Sequence, residues 1–265
     1  MSLTALKECP NCSATLEGTD KFCPNCGQTT SIHRFNLPHI FHEIFHAFTH
    51  ADKGVLLLLK ELAIRPGIVA REYILEGKRK KYFNPFTFLL LMVGLTLLVN
   101  SVFHPYTDRT QNLVKRAEAK QYRSEEMRQR MIGYAERQQN MQTFIEKKNN
   151  LIIFLSIPLM AFIFWLFFLR SGVNYAEHLV AQVFFTGFYA LVVFVLLTPL
   201  LKTIPGFWRI QLLLHVVYLT IAYYRFLPGT RSFGLLKTLG ASLLALMTWM
   251  VFSFGVGFLY IRYGG

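Results

Sequence analysis

The chain has 265 residues, of which 53% are hydrophobic, 15% aromatic and only 16% charged, and 25 are Phe. A soluble globule of this length has too little interior to hide so much apolar side chain, so the composition excludes an ordinary soluble domain and points to lipid as the solvent. The net charge of +13 does not mark a nucleic-acid binder: of 15 acidic residues only Glu177 lies beyond residue 148, and the cations there stand singly, as at membrane faces.

The opening residues, MSLTALKECPNCSATLEG, lack the apolar core and small-residue cleavage site of an export signal, so no signal peptide is expected. All four cysteines follow at once, as Cys9-Pro-Asn-Cys12 and, ten residues on, Cys23-Pro-Asn-Cys26-Gly27. Two thiolates separated by two residues chelate one tetrahedral ion, and two such knuckles complete its shell. The spacing therefore predicts a small amino-terminal zinc ribbon over residues 1–30 with one structural Zn2+ per chain. Two disulfides are the alternative, disfavoured by the paired C-x-x-C spacing and a reducing cytosol. Four sulfurs leave no open position, so this ion folds the head without catalysing anything. Within residues 1–28, Lys7 and Lys21 face Glu8, Glu17 and Asp20, too few cations to hold phosphate. The expected partner of the ribbon is a protein, not nucleic acid.

Residues 31–84 read as a His-rich amphipathic helix in the membrane interface followed by a basic juxtamembrane segment. In LPHIFHEIFHAFTH, residues 37–50, Ile40, Phe41, Ile44, Phe45 and Phe48 cover one helical face, and His39, His42, Glu43, His46 and His50 the other. His42-Glu43-Ile44-Phe45-His46 also fits H-E-x-x-H, in which two histidines one turn apart share a metal and the Glu activates its water. Three readings stay open: a polar helix face, which leads; a non-catalytic metal or proton-sensing site; and a catalytic site of His42, Glu43 and His46. A second divalent metal would need further ligands, with His50, Asp52, Glu177 and His178 as candidates. No catalytic set is complete, so the chain is read as non-enzymatic, or, if an enzyme, as a zinc-dependent hydrolase. Next, VLLLLKELAI is too short to span and is broken by Pro66-Gly67. Lys78, Arg79, Lys80 and Lys81 are assigned to anionic lipid headgroups, with Tyr73, Tyr82 and Phe83 in the headgroup region.

Apolar runs near the ~20 residues that a bilayer requires occur at 85–103, 150–169, 179–201, 207–226 and 237–261. They predict an all-α integral membrane helical bundle of about five transmembrane helices over residues 85–265. The run at 207–226 is the weakest, because Arg209, Gln211 and His215 interrupt it, and a buried or re-entrant segment is the alternative. Lysines and arginines ahead of the first span place the amino terminus in the cytoplasm of a multi-pass protein of the cytoplasmic (inner) membrane. The 104–149 loop, with ten basic and six acidic residues, then lies outside and reads as helical, with Asp108 and Ser124 as N-caps. A single straight helix would end too far from the first span, so the loop is expected to fold back near Tyr122–Ser124. Its seam would be Met127, Met131, Tyr134, Met141 and Ile145. Glu177 is expected to pair with Arg170, Arg225 or Arg231 or to join a functional site, with His178 and Gln182 extending its polar face; the rival to a partner-binding, assembly or regulatory role is a transporter or lipid-handling protein with Glu177, His178 and His215 lining a polar path. His215 reads as a hydrogen-bonded packing residue, and Ser253-x-x-x-Gly257 as close helix packing.

Several of these elements recur together: Phe22-Cys23-Pro24-Asn25-Cys26-Gly27-Gln28, His50-Ala51-Asp52-Lys53-Gly54, Arg65-Pro66-Gly67, Arg71-Glu72-Tyr73-Ile74, Gly77-Lys78-Arg79, Tyr82-x-x-Pro85 and Tyr175-Ala176-Glu177-His178-Leu179-Val180. In this combination the chain resembles an uncharacterised domain-of-unknown-function family of bacterial polytopic membrane proteins with a zinc-ribbon head. The resemblance is close over residues 9–90 and rests beyond them mainly on the Tyr-x-Glu-His element. It implies no known reaction, but it does imply that the His stripe, the Gly-Lys-Arg segment and Glu177-His178 belong to one design.

Overall fold

The computed structural model describes residues 8–31, 34–38, 54–103, 107–201, 204, 206–227 and 232–263. Among them the only extended pairing is two isolated bridges in the head, Glu8 with Thr15 and Phe22 with Thr29; the rest is helical. Two short helices, α1 (Val55–Ile64) and α2 (Ile68–Ile74), precede α3 (Pro85–Phe103). A hairpin of α4 (Thr107–Ala119) and α5 (Glu125–Phe167) follows, then α6 (Tyr175–Leu201), α7 (Phe207–Phe226) and α8 (Ser232–Tyr263).

Local chemistry sets the helix starts. Asn84 Oδ1 accepts from the backbone N–H groups of Phe86 and Thr87, satisfying two orphan donors of α3. Ser124 Oγ does the same for Met127 at 3.2 Å, with Glu125 and Glu126 in the positive first turn of α5. Asn174 and Glu177 form a reciprocal capping box on α6. Midway, α6 widens into a π-helical stretch over Ala190–Leu197, where the Thr198 hydroxyl donates to the Val193 carbonyl.

Among the described residues four helical stretches are long and apolar enough to cross a membrane: Arg79–Phe103, Asn150–Phe167, Tyr175–Leu201 and Gly234–Leu259. Their outer surfaces present Leu97, Leu98, Leu155, Leu200, Leu236, Met247, Val251 and Phe258, a belt that water would penalise and lipid would not. Several hydroxyls inside the bundle bond back to their own helices, as Thr96 to Met92, Ser156 to Ile153 and Ser242 to Thr238, and so need no partner from lipid. The five expected runs all lie in helices, but 207–226 does not reach the apolarity of the other four. It is nevertheless one unbroken helix. It runs antiparallel to α6, with Gln211 beside Thr198 and Tyr223 bonded to Gln182.

Two expectations change. Tyr73, Tyr82 and Phe83 are buried in the main core with Leu58, Leu62, Val69 and Ala70, so α2 and the turn after it pack into the bundle, while α1 sends in one edge and keeps Leu56, Leu57 and Ile64 exposed. Gly67 is what lets α2 approach α7: at φ +86° its missing Cβ would sit 2.0 Å from the Ala222 carbonyl oxygen. The hairpin folds back where expected, at 120–124, but Met127, Met131 and Tyr134 are exposed, and among its described side chains the buried positions are Ala117 and Ala135; Ile145 lies outside them. Small residues allow the closer approach. Met141 instead meets Gly257 of α8.

Candidate metal centre and its joint to the bundle

The head is two copies of one turn. Cys9 N–H donates to the Ala14 carbonyl and Ser13 N–H to Cys9; fourteen residues on, Cys23 N–H donates to Gln28 and Gly27 N–H to Cys23. Ser13 and Gly27 hold the matching left-handed positions at φ 59° and 70°. Each turn aims its two thiols inward. Cys9 Sγ lies 3.6 Å from Cys26 Sγ, Cys12 Sγ lies 3.6 Å from Cys23 Sγ, and all four fall within 4.8 Å of one another.

These separations fit a tetrahedral ion: sulfurs ~2.3 Å from zinc stand ~3.8 Å apart along each edge. They are far beyond the ~2.05 Å of a disulfide, and all four cysteines are free thiols. Burial pushes the Cys9 thiol up to about 11, while a backbone hydrogen bond at Ala14 pulls Cys12 down to about 6. Cys9 therefore needs a cation beside it to ionise at neutral pH. Among the described residues no other group of three or more ligating side chains converges.

The ribbon is fastened to the bundle at two points. Gln28, 2% exposed, donates from Nε2 to the Gly77 carbonyl at 2.7 Å, and its Oε1 accepts from Lys80 N–H at 3.2 Å. Six residues on, Arg34 grips Glu177 bidentately, Nε to Oε1 at 2.8 Å and Nη2 to Oε2 at 2.6 Å, and Nη2 also donates to the Gly172 carbonyl. Asn174 Nδ2 donates to the Phe35 carbonyl at 3.1 Å. Phe35 itself is a core residue, stacked on Tyr73 and covered by the Arg79 guanidinium 4.1 Å from its ring centre.

Glu177, 1% exposed, is thus fully occupied: one oxygen caps its own helix and both meet Arg34. Its cation is Arg34 and not the expected Arg170 or Arg225; the third candidate, Arg231, lies outside the described residues. The Asn-x-x-Glu signature of the capping box was readable in Asn174-Tyr175-Ala176-Glu177, whereas a partner 143 residues upstream carries no local signal.

The Lys78–Lys81 run is likewise drawn inward. Lys81 Nζ lies 2.5 Å from Glu72 Oε2, Lys78 reaches Glu72 and Glu76, Arg79 covers Phe35, and only Lys80 is exposed. Tyr82 donates to the same Glu72 oxygen. On the facing side Arg71 caps α7, donating to the carbonyls of Phe226 at 3.0 Å and Leu227 at 2.8 Å. Glu72 and Arg71 stood inside a recognised sequence element without an assigned role.

His178 is 0% exposed, stacked 5.8 Å from Tyr223 and edge-on to Phe226. Among the described residues neither of its ring nitrogens has a hydrogen-bond partner. One turn deeper, Gln182 accepts from Tyr223 and donates to Thr186. Further along the same seam, Tyr189 stacks on His215 at 4.2 Å and donates to the Gln211 carbonyl. The remaining candidates, His42, Glu43, His46, His50 and Asp52, lie outside the described residues.

The fold defines a helical protein with four apolar helices of membrane-crossing length and a four-cysteine head suited to a metal ion. Residues 52–97 match a family model described as a protein of unknown function, DUF3667. The matched segment holds α1, α2, the Lys78–Lys81 turn and most of α3, but neither the cysteines nor Glu177. No curated protein and no solved structure matches the chain.

Proposed function

We propose that the chain is a non-enzymatic, five-span protein of a bacterial cytoplasmic membrane, whose cytosolic zinc ribbon docks a protein partner during assembly or regulation of a membrane complex. The observation that carries this reading is the closed Cys9–Cys12–Cys23–Cys26 set, held in fixed register on the bundle by Gln28 and Arg34. A site with four protein sulfurs has no place for substrate, but it does order a surface. Bound there, zinc supplies folding energy and no chemistry. Phe22, 64% exposed on the ribbon, is the aromatic anchor of that surface. The antiparallel course of α7 supports a fifth crossing, and the cations ahead of α3 support a cytosolic head.

The test is metal analysis together with site-directed photocrosslinking from position 22 in membranes. One zinc per chain and a discrete adduct, both abolished by Cys9→Ser, are expected. Zinc-free protein, or an adduct indifferent to the metal, refutes the proposal.

A second reading is favoured by one observation, the unpartnered nitrogens of buried His178 at the head of a polar seam that continues through Gln182, Thr186 and His215. Such residues inside a membrane are costly and mark paths for protons or small polar solutes. Proteoliposomes whose proton or solute flux is unaffected by His178→Ala would exclude it.

A further inference from the structure

We propose that Gln28 is a latch through which the metal state of the ribbon controls the Gly77–Lys81 turn at the membrane face. The inference rests on the reading that the four cysteines hold zinc. Gln28 belongs to both sides of the joint. Its carbonyl accepts from Cys23 N–H at 2.7 Å and so closes the second metal knuckle, two residues past the ligand Cys26. Its side-chain amide is the piece inserted into the bundle, donating to Gly77 and accepting from Lys80. Both ends of the amide are used and the residue is buried, so withdrawing it strands the Gly77 carbonyl and the Lys80 N–H.

What the turn holds gives the latch its effect. Lys78 N–H donates to the Glu72 carbonyl, and the Lys78 and Lys81 ammonium groups neutralise the buried Glu72 carboxylate. Arg79, between them, covers Phe35, the plug beside the Arg34–Glu177 pair. A ribbon without its ion cannot keep the knuckle that positions Gln28, because so short a segment has no core of its own beyond Leu16 and the cysteines. Metal loss then frees the turn, exposes its cations and leaves Glu72 uncompensated inside the fold. The chain thereby converts zinc occupancy into a change at the membrane surface.

The experiment uses the full chain in lipid nanodiscs, zinc-loaded or stripped with a chelator, with limited trypsin digestion followed by mass spectrometry. Lys78, Arg79, Lys80 and Lys81 are themselves trypsin sites, and Arg128 and Arg130 of the α5 hairpin serve as internal controls. Stripping zinc should raise cleavage at the turn by about tenfold or more, the factor set by losing two hydrogen bonds, with the hairpin unchanged. Gln28→Ala should give the same cleavage while still holding one zinc, and stripping it should add little. Returning zinc should restore protection to the wild type but not to Gln28→Ala. Protein with bound zinc whose turn is cut equally fast with and without the ion overturns the latch alone, as does a Gln28→Ala variant as protected as the wild type. Protein that binds no zinc overturns the functional reading as well.

Discussion

Replacing Gly67 with Ala tests how closely the segment before the first span is built into the bundle. The first contribution is conformational: at φ +86° an L-residue costs ~1–2 kcal/mol. Gly206→Ala isolates that term, because Gly206 sits at φ +77° with open space where its Cβ would be. The second contribution is steric and belongs to Gly67 alone. Its Cβ would stand 2.0 Å from Ala222 O and 2.9 Å from Phe226 N, so reaching an ordinary 3.4 Å contact requires α2 to retreat about 1.4 Å from α7. A gap of ~0.5–1 Å already forfeits a quarter to a half of the dispersion energy across an interface, and this one buries Ala222 and Phe226 completely. The sum is ~3–5 kcal/mol, a large share of the ~5–15 kcal/mol that holds a domain together. Thermal unfolding in detergent, followed by fluorescence of Trp165, Trp208 and Trp249, should show a Tm drop several times that of Gly206→Ala. Equal drops in the two variants would refute the close approach of α2 to α7.

Other outcomes follow from the polar face. Glu177→Gln keeps an amide able to cap α6 but loses the charge for Arg34, so it should cost ~1–2 kcal/mol, and Glu177→Ala, which loses both, ~2–4 kcal/mol; equal costs in denaturant titrations would remove the cap from the account. His178→Phe keeps the stacking on Tyr223 and removes two unpaired nitrogens, so stability should hold or rise, by up to ~2 kcal/mol; a loss above ~1 kcal/mol would mean that a partner had been removed. At Glu72, burial works to raise the pKa, but hydrogen bonds from Lys81 and Tyr82 and the charges of Lys81 and Lys78 win and hold it below the usual carboxylate range. The folded state therefore binds that proton less readily than the unfolded chain. The stabilisation is complete above the ordinary carboxylate pKa of ~4 and disappears as pH falls through the lower folded value. Acid unfolding curves of the wild type should show this loss, and those of Glu72→Gln should lack it.

The apolar helices were legible because hydrocarbon imposes one rule on every residue: the expected run at 85–103 is helix Pro85–Phe103, and the weaker run at 207–226 is helix Phe207–Phe226. The cysteine knuckles were legible for a similar reason, since chelation fixes spacing. Segment 54–83 was not. Val55–Ile64 is too short to cross and stands beside Lys78–Lys81, so its composition matches an interfacial helix as well as a buried one. What draws the segment inward is Gly67 at the start of α2, whose missing side chain is visible in sequence but whose neighbour, Ala222, is not. The Glu177 partner was hidden likewise, because Arg34 lies in the head linker and no periodicity joins it to α6. The hairpin seam failed because methionines signal apolar surface without saying which face small residues will pack, and Ala117 and Ala135 took that role.

The 43 residues of α5 form one continuous rod of about 65 Å. Pro158 lies inside its apolar stretch of membrane-crossing length and leaves one backbone carbonyl without its usual donor. From there to Glu125 is about 50 Å, so a lean of only ~10° at the proline would carry the Glu125 end sideways by roughly 9 Å. Tyr175, at the first turn of α6, steadies this fulcrum by donating to the Pro158 carbonyl. A small change of angle at one residue of this helix would therefore be a large change of position at its far end.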